Sequence, residues 1–152
     1  MQEQAKKIFI DADACPVREE VYRVAIRNNI EELVVCNGGI RPHQNPLIKL
    51  KIVNEGLDEA DNWIVGQVRR KDLVITDDIP LADRCINNGA IVIKSNGARV
   101  DSDNIGSILA NRNLMAEIRS SNPFFQEAGR VYSGKDRAKF LNSLDKEITR
   151  NR

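Results

Sequence analysis

Four runs of three or four apolar residues, at 8–10, 33–36, 73–75 and 91–93, recur along the chain with helical patterns between them. A short apolar run with no polar alternation suits a strand covered on both faces, the usual condition of a parallel sheet. The intervening segments carry the period of amphipathic helices. Pro16 suits a first helical position. After it, Val17, Val21, Val24 and Ala25 share one face, with Arg18, Glu19, Arg23 and Arg27 outside. Between 56 and 70, Leu57, Ala60, Asp61, Ile64, Val65 and Val68 form a second face, which sets Asp61 on the inward or cleft-facing side of its helix's first turn. Pro80 opens a third helix, with Leu81, Ala82, Cys85 and Ile86 inward. Asp103 is the expected cap of a helix reaching to about Arg119, with Ile105, Ile108, Leu109, Met115 and Ile118 inside. Leu141, Leu144 and Ile148 give the last helix its face, behind Ser133-Gly134-Lys135-Asp136, which resembles a capping box. Leu50 and Ile52 alternate with Lys49 and Lys51, as in a half-exposed edge strand. The expected fold class is α/β: a single domain over residues 1–152, built as a three-layer sandwich with a mostly parallel central sheet.

Bulk properties narrow the setting. A length of 152 residues gives one domain with a sizeable core. The net charge of +1 provides no general attraction to nucleic acid or membrane and leaves only local patches to consider. Cys15, Cys36 and Cys85 are widely spaced and odd in number, which implies a reducing compartment without a disulfide framework. The polar opening MQEQAKK lacks the apolar stretch of a signal peptide. No run approaches the ~18 apolar residues of a membrane span. A cytoplasmic protein that does not enter membranes is the expectation.

Carboxylates stand where a parallel sheet would gather them at one edge. Asp11 and Asp13 follow the first strand, Asp61 lies in a helix's first turn, and Asp77 and Asp78 follow the strand at 73–75. Oxygen-only clusters suit magnesium or manganese, and such ions activate water and stabilise in-line phosphoryl displacement. The same acids also suit a purely structural role. Asp13 and Asp78 each shortly precede a helix-initiating proline, where carboxylates cap helices or complement their dipoles, and Asp58 and Asp61 suit that role too. Convergence of three segments favours the metal site.

The strings DADACPV, GLDEADNWIV, DLVITDDIPLAD, NGAIVI, RNLMAEIR and SGKDRAKFLNSLD resemble the YaiI/YqxD family of bacterial proteins, from about residue 8 to 148. The resemblance implies a PIN-like fold, and PIN domains are metal-dependent nucleases of RNA or DNA that act through clustered acids. By that likeness the first-strand acid is Asp11. The motif Asp-Ala-x-Ile is Asp61-Asn62-Trp63-Ile64, and Thr-x-Asp is Thr76-Asp77-Asp78, with Asp78 the counterpart and Asp77 in the variable place. Asp13 belongs to the family's own Asp-Ala-Asp-Ala-Cys-Pro signature. Asp11, Asp13, Asp61 and Asp78 would then hold one or two Mg or Mn ions and direct a metal-activated water at a phosphodiester. Two departures stand out. The further acid of many PIN nucleases is replaced near Leu81 and Ala82, with Asp83 close by, and the family's Gly-Gly-Pro turn is absent from SSNPFFQEAGRVYSGKD.

Arg112, Arg119, Lys135 and Arg137 are the expected nucleic-acid contacts, with Arg41 and Lys94 as weaker candidates, although any one of them also suits a solvated helix face. Phe124, Phe125 and Tyr132 could stack bases or simply pack an irregular connection at 120–134. His43, in a loop with Pro42 and Pro46, is expected at the surface rather than in catalysis. Cys15 is expected to be a packing thiol, because no histidine is near it in sequence. Two rival readings remain. A haloacid-dehalogenase-like phosphatase would use Asp11 as nucleophile and Asp13 as acid/base, with Asp77-Asp78 as its paired acids. A non-catalytic PIN-like binding module would keep the fold and the acids without turnover.

Overall fold

The computed structural model describes residues 6–56, 58–121 and 132–150. Six strands form one sheet: β1 (Ile8–Asp11), β2 (Glu32–Cys36), β3 (Ile48–Ile52), β4 (Leu73–Ile75), β5 (Ile91–Ile93) and β6 (Arg99–Val100). Their order is β3-β2-β1-β4-β5-β6, and every pair is parallel except β5 with β6. The chain steps outward from β1 to β3, then returns to lay β4 on the other side of β1. The strand order therefore reverses between β1 and β4, the kind of place where open α/β sheets form a crevice at the carboxyl ends of their strands.

Side chains alternate across the sheet, and the alternation assigns the layers. Ile8, Ile10, Leu73, Ile75 and Ile93 face α1 (Arg18–Arg27) and α5 (Gly134–Arg150), meeting Val21, Val24, Phe140, Leu144 and Ile148. Phe9, Val35, Val74 and Val92 face the opposite layer of α2 (Glu59–Gln67), α3 (Ile79–Asn87) and α4 (Ile105–Ser121), meeting Ile64, Leu81, Cys85 and Ile105. The result is an α/β three-layer sandwich around a mostly parallel sheet. The crossover from β2 to β3 contains no helix. His43 anchors it, with its ring edge-on to Tyr22 at 4.9 Å and its Nδ1 accepting the N–H of Asn45.

Several element ends differ from the sequence expectations. Pro16 precedes α1, whose N-cap is Val17. The cap region of α4 is set by Asp101, whose Oδ1 accepts the N–H groups of Asp103 and Asn104, while Asp103 is exposed. Met115 and Ile118 are half-buried rather than inside, and Leu114 is 53% exposed. Length explains this: α4 has 17 residues and the α3 helix it packs against has nine. At 1.5 Å per residue the second half of α4 outruns its support. Ile52, at the end of edge strand β3, is 57% exposed. The capping box at α5 forms as expected: the Ser133 N–H and Oγ donate to Asp136 Oδ2, and the Asp136 N–H returns to Ser133 Oγ. Phe124 and Phe125, and the altered turn they belong to, lie outside the described residues.

Helix α5 sits tightly on the turn between β5 and β6. Gly97 has φ +90°, and a Cβ there would lie 2.7 Å from the carbonyl oxygen of Lys139, so only glycine fits. Ser143 Oγ donates to the Gly97 carbonyl at 2.6 Å. Arg137 meets buried Glu20 at 2.9 Å, joining α5 to α1. One buried group has no such support: Glu32 opens β2 with 0% exposure, and neither carboxyl oxygen has a hydrogen-bond partner among the described residues. No helix among the described residues is long and apolar enough to cross a membrane.

Candidate metal centre

Asp11 is the last residue of β1 and shares its face with Phe9, so it points toward α2 and α3. Thr76 follows β4 by the same parity from Val74. Its Oγ1 donates to Asp11 Oδ2 at 3.2 Å and accepts the N–H of Asp78 at 3.0 Å. This one hydroxyl therefore links the ends of both strands at the reversal point. Asp78 is the N-cap of α3, with Oδ1 accepting the N–H of Leu81 at 3.1 Å. Asp61 lies in the first turn of α2. Asp11, Asp61 and Asp78 each present a carboxylate oxygen, and the three oxygens lie within 4.8 Å of one another. Asp11 is only 5% exposed, and the other two are half-buried.

The energetics follow from that crowding. Burial raises the Asp11 pKa to about 6, against the lowering effect of the Thr76 hydrogen bond, and the charges of Asp61, Asp78 and Asp13 add to the rise. Asp61 is also raised, by burial and then by Asp78 and Asp58, with Arg84 opposing. Carboxylates this close require a proton or a cation between them. The N-termini of α2 and α3 contribute partial positive charge at the same place. An oxygen-only set of three, with one member almost dry, has the donor chemistry of a hard divalent cation.

The remaining candidates divide. Asp13 is exposed and turned to the loop after β2, where its Oδ2 accepts the N–H of Asn37 at 2.8 Å. It lies outside the group of three, and it does not cap α1, which has no side-chain cap bond. Asp77 has the opposite parity to Thr76 and straps β4 to β5, accepting the N–H of Ser95 at 2.8 Å and its Oγ at 2.6 Å. Leu81 and Ala82 are buried, so no carboxylate takes their place, and half-buried Asp83 is not in the group. Cys15 donates to the Ile75 carbonyl at 3.6 Å, and burial, then Asp77 and Asp11, hold its thiol far above the usual range. A thiol held protonated and hydrogen-bonded in this way packs rather than attacks. His43 is half-buried on Tyr22, away from the acids in sequence and contact.

Among the basic residues, Arg137 is engaged with Glu20. Lys135 is exposed at the start of α5, which the bond from Tyr132 Oη to the Ser95 carbonyl holds near the carboxyl ends of β4 and β5. Arg112 and Arg119 are exposed on α4, Arg119 in its last turn. Arg41 is exposed and Lys94 half-buried, the latter in the turn closed by its own backbone bonds to Gly97 and Ala98. The cation that bears on the cluster is one the sequence reading did not single out: Arg84, on α3, whose Nη1 donates to Asn62 Oδ1 at 3.0 Å. Only the packing of α3 on α2 reveals it.

A family model described as "Uncharacterized BCR, YaiI/YqxD family" matches residues 9–150. The chain belongs to the YaiI/YqxD family. A UPF0178 protein of Roseobacter denitrificans is 48% identical over 141 residues, covering 93% of each chain. One from Ruegeria pomeroyi is 49% identical over 142 residues, covering 93% of this chain and 92% of its own. One from Rhodopseudomonas palustris is 43% identical over 150 residues, covering 99% and 94%. No solved structure matches. Membership of the YaiI/YqxD family thus spans nearly the whole sandwich, including all three clustered acids.

Proposed function

We propose that this YaiI/YqxD protein is a PIN-like, Mg- or Mn-dependent nuclease that hydrolyses phosphodiester bonds of RNA or DNA in the cytoplasm. The observation that carries the reading is the meeting of Asp11, Asp61 and Asp78, from three separate elements, within 4.8 Å at the reversal point of the sheet. A bound divalent cation would supply acidified water and charge neutralisation at the phosphoryl oxygens. The chain's own residues do the rest. Thr76 fixes the orientation of Asp11 and, through the Asp78 N–H, the start of α3. Asp78 combines capping with ligation, so the position of its carboxylate is tied to the helix itself. Asp13 stands at the rim, near enough for its charge to be felt at Asp11.

The phosphatase reading needs Asp13 free beside Asp11 and Asp77 free beside Asp78. Both are bonded elsewhere, to Asn37 and Ser95, and this weighs against it. The binding-module reading is favoured by buried Leu81 and Ala82 in place of a further acid. A manganese titration followed by thermal melting tests the core of the proposal. The wild type should melt higher with manganese, and Asp11→Asn and Asp78→Asn should lose the increment. Equal melting with and without metal refutes the cation site. A metal-dependent increment, with single-stranded and structured nucleic acids all left intact, selects the binding module.

A further inference from the structure

We propose that Arg84 is the residue that receives a backbone phosphate of the nucleic acid beside the acid cluster, held ready by Asn62. The inference rests on the nuclease reading and names a substrate contact within it. Arg84 lies on α3, the helix capped by Asp78, and Asn62 follows Asp61 in the first turn of α2. The 3.0 Å bond from Arg84 Nη1 to Asn62 Oδ1 therefore spans the two helices that deliver two of the three carboxylates.

Guanidinium has five donors in a planar fork, suited to two phosphate oxygens at once. One nitrogen is engaged by Asn62. Among the described residues no carboxylate lies within ion-pair distance of the group, which is exposed. Arg137 and Arg99, by contrast, are each paired with a buried carboxylate, Glu20 and Glu147. The need for such a group is electrostatic. Asp11, Asp13, Asp58, Asp61 and Asp78 make this edge strongly negative, and a polyanion approaching it requires a fixed positive partner beyond the metal. Arg112, Arg119 and Lys135 stand on α4 and α5, which carry none of the three clustered acids.

The test uses the full chain carrying Asp11→Asn, which blocks turnover, and fluorescence anisotropy with labelled single-stranded ribo- and deoxyribo-oligonucleotides over a salt series. Adding Arg84→Ala should weaken binding about tenfold and lower the slope of log affinity against log salt by about one. Adding Arg84→Lys should restore the slope but only part of the affinity, because the fork is lost. Adding Asn62→Ala should keep the slope and lose affinity a few-fold, because the cation remains but is no longer held. Unchanged affinity and slope in Arg84→Ala, while the parent chain binds, overturns the inference and leaves the nuclease reading standing. Failure of the parent chain to bind either oligonucleotide also overturns the inference, while the nuclease reading is decided separately by manganese-dependent melting and cleavage in the wild type. Melting of Arg84→Ala alone with manganese separates a structural role: a retained metal increment supports the phosphate contact. A lost increment shows Arg84 to be an α2–α3 clasp and overturns it.

Discussion

Replacing Glu32 by leucine should make the protein more stable at neutral pH, by a margin that widens as the solution becomes alkaline. Glu32 is fully buried at the start of β2, and neither oxygen is hydrogen-bonded among the described residues. Burial, with a smaller contribution from the charge of Glu19, raises its pKa from 4.5 to about 9. Between those values the folded chain keeps a proton that the unfolded chain has released. A native state that binds the extra proton loses stability as pH rises, by about 1.4 kcal/mol per pH unit, until the folded group itself ionises. The penalty is complete above about 9, absent below 4.5, and about 3 kcal/mol at pH 7. Glu32→Leu removes both the titration and the unpartnered oxygens. Glu32→Gln removes the titration alone and leaves a buried amide to be satisfied. Urea unfolding at several pH values between about 5.5 and 8.5 measures the effect as a shift in midpoint at constant m-value. Asp11 adds a slope of its own near its raised pKa, but it does so in every variant and cancels in the difference. The wild type should lose stability with pH while both variants stay comparatively flat. Parallel lines for all three proteins would refute the reasoning, since they would mean that Glu32 is solvated or paired in solution.

Manganese binding, followed through the fluorescence of the single tryptophan, Trp63, two residues from Asp61, should weaken as pH falls below about 6. Asp11 takes up a proton there and competes with the cation, so affinity should fall by about tenfold per unit below that point. Thr76→Val removes the donor to Asp11 and the acceptor of the Asp78 N–H, and should cost about 1–3 kcal/mol. It should also move the pH midpoint of metal binding upward, because the lost bond was lowering the Asp11 pKa. The adjacent acids should separate cleanly. Asp77→Ala should destabilise by about 1–3 kcal/mol in urea and leave manganese binding in place, since both its oxygens serve Ser95. Asp78→Ala should abolish the manganese increment and cost about 1 kcal/mol through the lost cap.

The legibility of the sequence follows the same physics. Runs 8–10, 73–75 and 91–93 were readable because strands covered on both faces cannot alternate in polarity. β6 was not, since two residues, one of them an arginine, carry no period. Asp11, Asp61 and Asp78 were readable as a group because acids at strand ends and helix starts collect at one edge of a parallel sheet. The residue pattern alone left Asp77 and Asp78 together and the family likeness chose Asp78; the parity of β4, with Thr76 and Val74 on one face and Asp77 on the other, supplies the physical reason. Asp13 needed the path of the loop at Asn37, which no local pattern encodes. Glu32 precedes Leu33-Val34-Val35 and looks like a polar flank, and only the pairing of β2 with both β1 and β3 places it in the interior. Arg84 depends on the packing of one helix on another, which leaves no periodic trace.

The docking of α5 has a consequence for how such a chain is made. One face of the sheet, at Ile8, Ile10, Leu73, Ile75 and Ile93, is closed by Phe140, Leu144 and Ile148 together with α1. A ribosome releasing the chain from its N-terminus exposes all six strands and α1 before that helix emerges. Until it does, the nascent sandwich is covered on one side and partly bare on the other. Docking of α5 over Gly97 completes that cover, with Arg137 reaching buried Glu20 and Arg27 meeting Asp145 at the surface. A stop codon before Gly134 therefore leaves every clustered acid encoded and yields a sticky, half-covered sheet.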